Sequence, residues 1–569
     1  WLPFGTPAWR VNLLSAVCDV AAAVILLLAV ARWTGNAWSG FLAGGLFAMA
    51  PGVWQYAVIA EVFALNNLLV AALLYATIRF AQERSAKWPL LAALLIGLGV
   101  CNHHTLLLYA LPLVIWALVT EPGLLLTRPM MRRLAAAAAI GLLPLAYLPL
   151  ATARWPPVQW GDPTTPAGLM FHVLRLHVGT FRLGDSQFGE PLPLLTQTHQ
   201  FMWFLIQQTL MAGVPIAILG QYLSCHRTKE RGLGFAMVAA FYAYFFVFQS
   251  GANLPVDSTL FAGITERFWQ QPLLLVMAWI GHVHARLFAS APRAGAAVAA
   301  VLVACQLGVH HRTEDQRRNR IIDQLGRAIL APLPPGAILV TKGDLSGHAL
   351  FYVQHCEGFR TDVRAVDISR MTWPWSRPWL ARRFPDLSFP GESYAPGRPG
   401  SYALADFVRA NLSRRPVYIY GGPLRGDTSL STDFELWPAG LASRVVPVSQ
   451  RPPLDQWLLE SDRALPRFEL HPLQEYSPKR WEYTVVQACW SARRERAERI
   501  VSEELRRRGL TAEELSRRRK GDRAKVAIAV RLRAETTMTL KWIAERLQMG
   551  SVAYVNNRLY LARQGKLDD

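Results

Sequence analysis

The stretch WPLLAALLIGLGVCNHHTLLLYALPLVIWAL, residues 88–118, sets an asparagine and two histidines between two apolar runs that carry no charge. Each run is short for a crossing of a ~30 Å hydrocarbon core, so each is credible as a span only inside a bundle. Working outward, further apolar segments lie at about 11–31, 39–52, 62–80, 134–152, 200–221, 233–249, 269–287 and 294–310. Counting 88–101 and 105–120, that makes about ten visible spans. The 569-residue chain is 52% hydrophobic and 18% charged, with 20 Trp, and these averages hide two unlike halves. Residues 1–310 predict a multi-span α-helical membrane bundle; the remainder is polar and rich in Arg and Pro.

Basic residues orient the spans, because Lys and Arg concentrate in cytoplasmic loops. Arg32, the group Arg79/Arg84/Lys87, Arg128/Arg132/Arg133, Arg227/Lys229/Arg231 and Arg286/Arg293 fall in alternate loops. The other loops hold PGVWQYAVIAEVF (51–63), CNHHT (101–105), RWPPVQWGDPTTP (154–166) and DSTLFAGITERFW (257–269). One assignment therefore puts the basic loops inside and gathers the unusual polar residues on the opposite face. The chain begins at Trp1 rather than Met, which suggests a fragment, with one span expected before it. Alternation then places residues 311–480 outside the cytoplasm, and a bacterial inner membrane is the expected location.

Each polar residue has a functional and a bland reading. Glu61, in WQYAVIAEVFALNN, is either a functional intramembrane carboxylate or an interfacial charge favoured at a helix N-terminus. His103 and His104 point about 100° apart on a helix, so both cannot face lipid cheaply. Asn102, His103 and His104 read as a pocket wall or as a helix cap. Asp162 reads as a site acid or as a turn residue before Pro163. Arg154, Arg175 and Arg182 share one loop with His172 and His177 on the side expected to be poor in basic residues. They suggest an anionic ligand such as phosphate, which arginine holds with a bidentate fork. Glu266 and Arg267 read as ligand contacts or as an interfacial ion pair. His282, His284, His310 and His311 read as interfacial anchors. The six cysteines show no metal-ligand spacing, so no metal or cofactor is assigned, with a divalent ion left open.

Residues 333–450 read as α/β, since AILVTKG (337–343), VRAVDIS (363–369) and RPVYIYG (415–421) are β-branched runs bounded by Gly, Pro and Asp. Residues 490–569 form a basic helical tail, ending in two helices about Met549-Gly550-Ser551 that read as a helix-turn-helix.

Taken in order, WRVNLLSAV (9–17), WQYAVIAEVFALNN, GLGVCNHHT, WGDPTT, FHVLRLHVGTF (171–181) and TERF (265–268) form one series. LPPGAILVTKGD (333–344), FRTDVRAVDIS (359–369), RPVYIYGG and GLASRVVPV (440–448) continue it. Over residues 1–450 this series resembles the transmembrane protein 260 family of O-mannosyltransferases, which are GT-C type glycosyltransferases. The resemblance implies transfer of a mannose-like sugar from a polyprenyl-phosphate carrier to a protein Ser or Thr hydroxyl, outside the cytoplasm. A carboxylate or imidazole would take the acceptor proton, which nominates Glu61, His103, His104 and Asp162 as catalytic. Asn102, Arg154, Arg175, Arg182, Glu266 and Arg267 would bind substrate or phosphate. In this class a key acid lies in the first extracytoplasmic loop, just ahead of where this chain begins at WLPFGTPAWRVN, so either the catalytic acid lies upstream of Trp1 or the protein is inactive as given.

The tail segment KGDRAKVAIAVRLRAETTMTLKWIAERLQMGSVAYVNN (520–557) resembles the C-terminal helix-turn-helix region of transposases associated with repetitive extragenic palindromes. A join of two unrelated genes would account for it. No nucleic-acid partner is expected, because the topology puts the tail outside the cytoplasm. The competing class is a transporter or flippase of a lipid-linked substrate, whose polar residues would line a route through to the cytoplasmic face.

Overall fold

The computed structural model describes residues 3–176, 192–226, 231–251, 258–465, 468 and 477–564. It divides into two compact units: residues 1–156 with 162–318, and residues 157–161 with 319–569.

The first unit is helical. Helix α1 (Pro7–Thr34) starts where the Thr6 hydroxyl caps the Trp9 amide and ends at Gly35 in the left-handed region. Asn36 then caps two amides of helix α2 (Ala37–Ala48) at once, turning the chain back within two residues. The short helix α3 (Pro51–Ala57) leads to helix α4 (Phe63–Glu83), and helices α5 (Lys87–Asn102) and α6 (Leu106–Thr120) follow.

Along α1, Leu14, Val17, Val20, Val24 and Leu28 are exposed, while Ser15, Cys18, Asp19, Ala22, Leu26 and Ala29 are buried. An apolar outer stripe with the small and polar side chains turned inward is the pattern of a helix whose solvent is lipid. Five described helices are long and apolar enough to cross a membrane: Pro7–Thr34, Phe63–Glu83, Arg128–Ala153, Arg231–Gly251 and Pro292–His310. A sixth results if the pair Leu194–Gln208 and Gly213–His226, bent by 100°, is one broken span. Helices α2, α5 and α6 are apolar but shorter.

Close packing sets how near α5 lies to the helix Arg128–Leu142. A Cβ on Gly97 would lie 2.3 Å from the Ala138 carbonyl oxygen, and one on Gly141 2.4 Å from that of Leu94. Only glycine at both positions lets α5 approach the helix Arg128–Leu142 this closely. The helix Gln270–Leu287 is the hub of the bundle, with every residue from Gln270 to His284 buried. His282 and His284, expected from the sequence to be interfacial anchors, are therefore interior. His282 stacks on Trp33, and His284 reaches the Ser39 hydroxyl at 2.9 Å and the Gly295 carbonyl at 3.0 Å. Their position near the end of an apolar run masks the fact that this run faces protein on all sides.

The second unit is built on a mixed five-stranded sheet of order β2-β1-β3-β5-β4, with strands β1 (Ile338–Thr341), β2 (Arg364–Asp367), β3 (Val417–Tyr420), β4 (Phe434–Ala439) and β5 (Ala442–Pro447). Strands β2, β1 and β3 are parallel; β5 runs antiparallel to β3 and pairs with β4 as a hairpin. The helix Trp481–Arg507 begins upstream of residue 490 and crosses that expected domain boundary without a break. Its Ala497, Ile500 and Val501 share a core with Trp437 and Val446 of the hairpin and with Val526, Ile528 and Leu532 farther along the tail. Arg499 lies over the Trp437 ring at 4.4 Å and donates to the Leu436 carbonyl. The helices Leu540–Arg546 and Val552–Arg563 follow one another across Met549–Ser551, with Gly550 at φ 90° and Ser551 capping the second.

Candidate functional site

Four helix termini of the first unit bring polar side chains together. Glu61 precedes α4, Asn102 ends α5, His103, His104 and Thr105 link α5 to α6, and Arg267 precedes the helix Gln270–Leu287. A helix terminus leaves backbone groups unpaired, so polar side chains collect there at low cost. The Asn102 amide donates to the Val62 carbonyl at 3.0 Å, tying the end of α5 to the start of α4.

The central contact is an ion pair, Arg267 Nη1 to Glu61 Oε1 at 2.9 Å, between residues 206 positions apart. Both side chains are largely covered, 23% and 30% exposed. The guanidinium lies over Phe63 at 5.3 Å and Phe268 at 5.4 Å, which fixes its plane. The same two rings flank His103, with centroids at 5.4 and 5.6 Å. His103 Nδ1 meets the Thr105 hydroxyl at 2.7 Å, and that hydroxyl accepts from Gln271 Nε2 at 3.0 Å. The imidazole is thus oriented through its Nδ1 while sharing its aromatic walls with the ion pair.

Beside this layer lies a second polar group, in which Asn66 and Asn67, polar neighbours of Glu61 in the sequence, are joined by Asp19 and Gln270, which the sequence expectations do not name. Asn67 donates to Asp19 Oδ1 at 2.9 Å and to Gln270 Oε1 at 2.7 Å, with all three residues at most 4% exposed. Asp19 Oδ2 and both side-chain polar atoms of the buried Asn66 have no hydrogen-bond partner among the described residues. Asp19 is a lone carboxylate inside the apolar run 11–31, and that intramembrane charge is the signal that could have found it.

The other predicted site residues are placed differently. Arg175, at φ 54°, acts electrostatically on both His103 and His104. Glu266 ends the helix Thr259–Glu266, next to Arg267 in the chain. Asp162 accepts from the amide and hydroxyl of Thr164 at 3.3 and 2.6 Å, the bonding of a turn residue ahead of the helix Pro166–Val173. Arg154 is exposed where the helix Tyr147–Ala153 ends. Arg182 lies outside the described residues. Among the described residues no three His, Cys, Asp or Glu side chains are grouped to hold a metal ion.

Lipid-facing apolar helices and an ion pair gathered with an oriented imidazole at their ends define an integral membrane protein with a polar site. Residues 1–123 match the family model described as the protein O-mannosyl-transferase TMEM260 N-terminal domain, and residues 322–383 match TMEM260-associated domain 2. The protein O-mannosyl-transferase TMEM260 of Mus musculus is 34% identical over 528 residues, covering 86% of this chain and 72% of the mouse protein. The Dictyostelium discoideum protein of the same name is 27% identical over 543 residues, covering 88% of this chain and 66% of its own length. Among solved structures, ArnT from Cupriavidus metallidurans bound to undecaprenyl phosphate aligns with a TM-score of 0.46 and 14% identity, over 78% of this chain and 85% of that one. The chain belongs to the protein O-mannosyl-transferase TMEM260 family, a family of membrane glycosyltransferases.

Proposed function

We propose that the chain transfers a mannose-type sugar from a polyprenyl-phosphate carrier to a Ser or Thr hydroxyl of an acceptor protein on the extracytoplasmic side, on a GT-C-like bundle. The Glu61–Arg267 pair carries this reading. In the pair one oxygen of the Glu61 carboxylate is occupied by the Arg267 guanidinium. The phosphate of a lipid-linked donor competes for the same guanidinium fork. Once Arg267 turns to the phosphate, Glu61 is released as a base beside the reacting sugar.

In the transfer step the acceptor oxygen forms a bond to the anomeric carbon as the bond from that carbon to the phosphate oxygen breaks. The electron pair leaves with the polyprenyl phosphate, whose charge Arg267 neutralises, and the hydroxyl proton passes to Glu61. His103, fixed through Thr105 and Gln271, orients substrate beside the pair. The test is sugar transfer from a synthetic polyprenyl-phosphate mannose to a Ser/Thr peptide, with the chain in nanodiscs. Glu61→Gln is expected to lower kcat with little change in donor KM. Unchanged kcat in both Glu61→Gln and Arg267→Met would overturn the assignment.

A further inference from the structure

The sheet unit carries a cavity of about 440 Å³ at the edge strand β2, far in sequence from the ion pair just described. Its walls come from the helix Asp344–His355, the end of β2 and the helix Arg377–Arg383. Arg370 lines it and is only 5% exposed. The guanidinium is gripped over Phe351 at 4.4 Å and over Trp379 at 5.3 Å, so its plane is set before any ligand arrives. Its Nη1 has no hydrogen-bond partner among the described residues.

Neighbouring charges leave that cation undersatisfied. Asp367 acts on Arg370 electrostatically, but its Oδ1 accepts from the Arg370 backbone amide, capping the turn Ile368–Met371. Arg364 and Arg415, which also line the cavity, share the single carboxylate of Asp386 at 3.1 and 2.8 Å. Arg383 has no carboxylate within ion-pair distance among the described residues, and its guanidinium reaches the His355 ring at 3.4 Å. Four arginines therefore face two aspartates around one cavity. A buried guanidinium with an open donor is costly unless an anion completes it.

We propose that this cavity binds the phosphate group of a phosphate monoester through Arg370 and Arg383. A phosphate monoester carries roughly two negative charges at neutral pH, which matches the two uncompensated cations; a carboxylate would leave one unmatched. The volume exceeds what the oxyanion alone fills, so the esterified group is accommodated as well. Such a phosphate can come from a soluble sugar phosphate or from a lipid headgroup of the phosphatidic acid type.

Two calorimetric titrations separate the sources, both on the full chain in neutral detergent. One uses glucose 1-phosphate; the other uses a short-chain phosphatidic acid below its micelle concentration. Saturable binding is expected in at least one arm. It should weaken about tenfold in Arg370→Met, the loss expected for a hydrogen bond to a charged group. A smaller loss is expected in Arg383→Gln, an exposed position whose change leaves the fold intact, and none in Arg398→Gln outside the cavity. Absence of saturable binding in both arms, or undiminished binding in both Arg370→Met and Arg383→Gln, would overturn the proposal.

Discussion

The two arginine sites differ in one respect that decides their chemistry. At the end of the bundle Arg267 holds, through Nη1, a carboxylate brought from 206 residues away, so an incoming anion competes with an existing partner even though its Nε has none among the described residues. At the edge of the sheet Arg370 is equally well gripped by aromatic rings yet keeps an open Nη1 among the described residues. A paired arginine couples anion binding to the release of a base, which suits a reaction step. An open one binds without releasing anything, which suits recognition. Aromatic walls serve both sites by fixing the guanidinium plane and excluding water.

Breaking the paired side tests this contrast most strongly. Arg267→Ala should cut sugar transfer by about a hundredfold or more, the scale for losing one preorganised charge-stabilising donor. It also leaves Glu61 partly buried without its partner. Glu61→Gln should cost about a hundredfold in kcat, near the lower end for removing a general base. A kcat loss confined to Arg267→Ala would mean that the pair binds phosphate without supplying the base.

Two stability measurements sharpen the contrast between the units. Gly97→Val forces a side chain onto the Ala138 carbonyl and should destabilise the bundle by about 1–3 kcal/mol, read as a lower Tm in detergent. The contact between α5 and the start of α4 should then loosen, because α5 carries Asn102 to its hydrogen bond with Val62. Val501→Ala, in the core that the tail shares with the β4–β5 hairpin, should cost about 1–2 kcal/mol by opening a cavity. An unchanged Tm in Val501→Ala would show that tail and sheet fold independently.

The smallest expected effect is a pH dependence at the open site. Partial burial and the positive charges of Arg383 and Arg370 hold the His355 imidazole below its ordinary value. The unfolded chain then binds the proton more readily, so stability is full above about pH 6.5 and falls as the pH drops below that. His355→Gln should flatten this acid limb in thermal melts between about pH 5 and 6.5. A glucose 1-phosphate or phosphatidic acid group bound at Arg383 should flatten it too, by neutralising the charge that disfavours the imidazolium.

Part of the site is legible in the chain itself. Glu61, Asn102, His103 and Arg267 stand out because a polar side chain beside an apolar span requires a reason, and these four do converge at helix ends. Asp162 stands out for the same reason but has a local use as a turn residue. The sequence offers no means of separating those outcomes, because Asx-turn bonding and site chemistry use the same side chain. Asp19 and the cation of Arg370 escape notice for opposite reasons. One looks like a blemish in a hydrophobic run, and the other is one arginine among many in a basic half.

What the sequence determined alone is the material of each element. Apolar runs make membrane helices, β-branched runs between Gly and Pro make the three parallel strands, and capping residues such as Thr6, Asn36 and Ser551 start helices. These follow from interactions within a few residues, which composition and spacing record. The tertiary structure alone decided which charges meet: Glu61 with Arg267, Asp19 with Asn67, and Asp386 with two arginines at once while Arg370 keeps an open donor. It also decided that the tail shares a core with the hairpin. Those outcomes depend on packing between distant segments, where close approach at a glycine or the tilt of a helix sets a distance that no local pattern encodes.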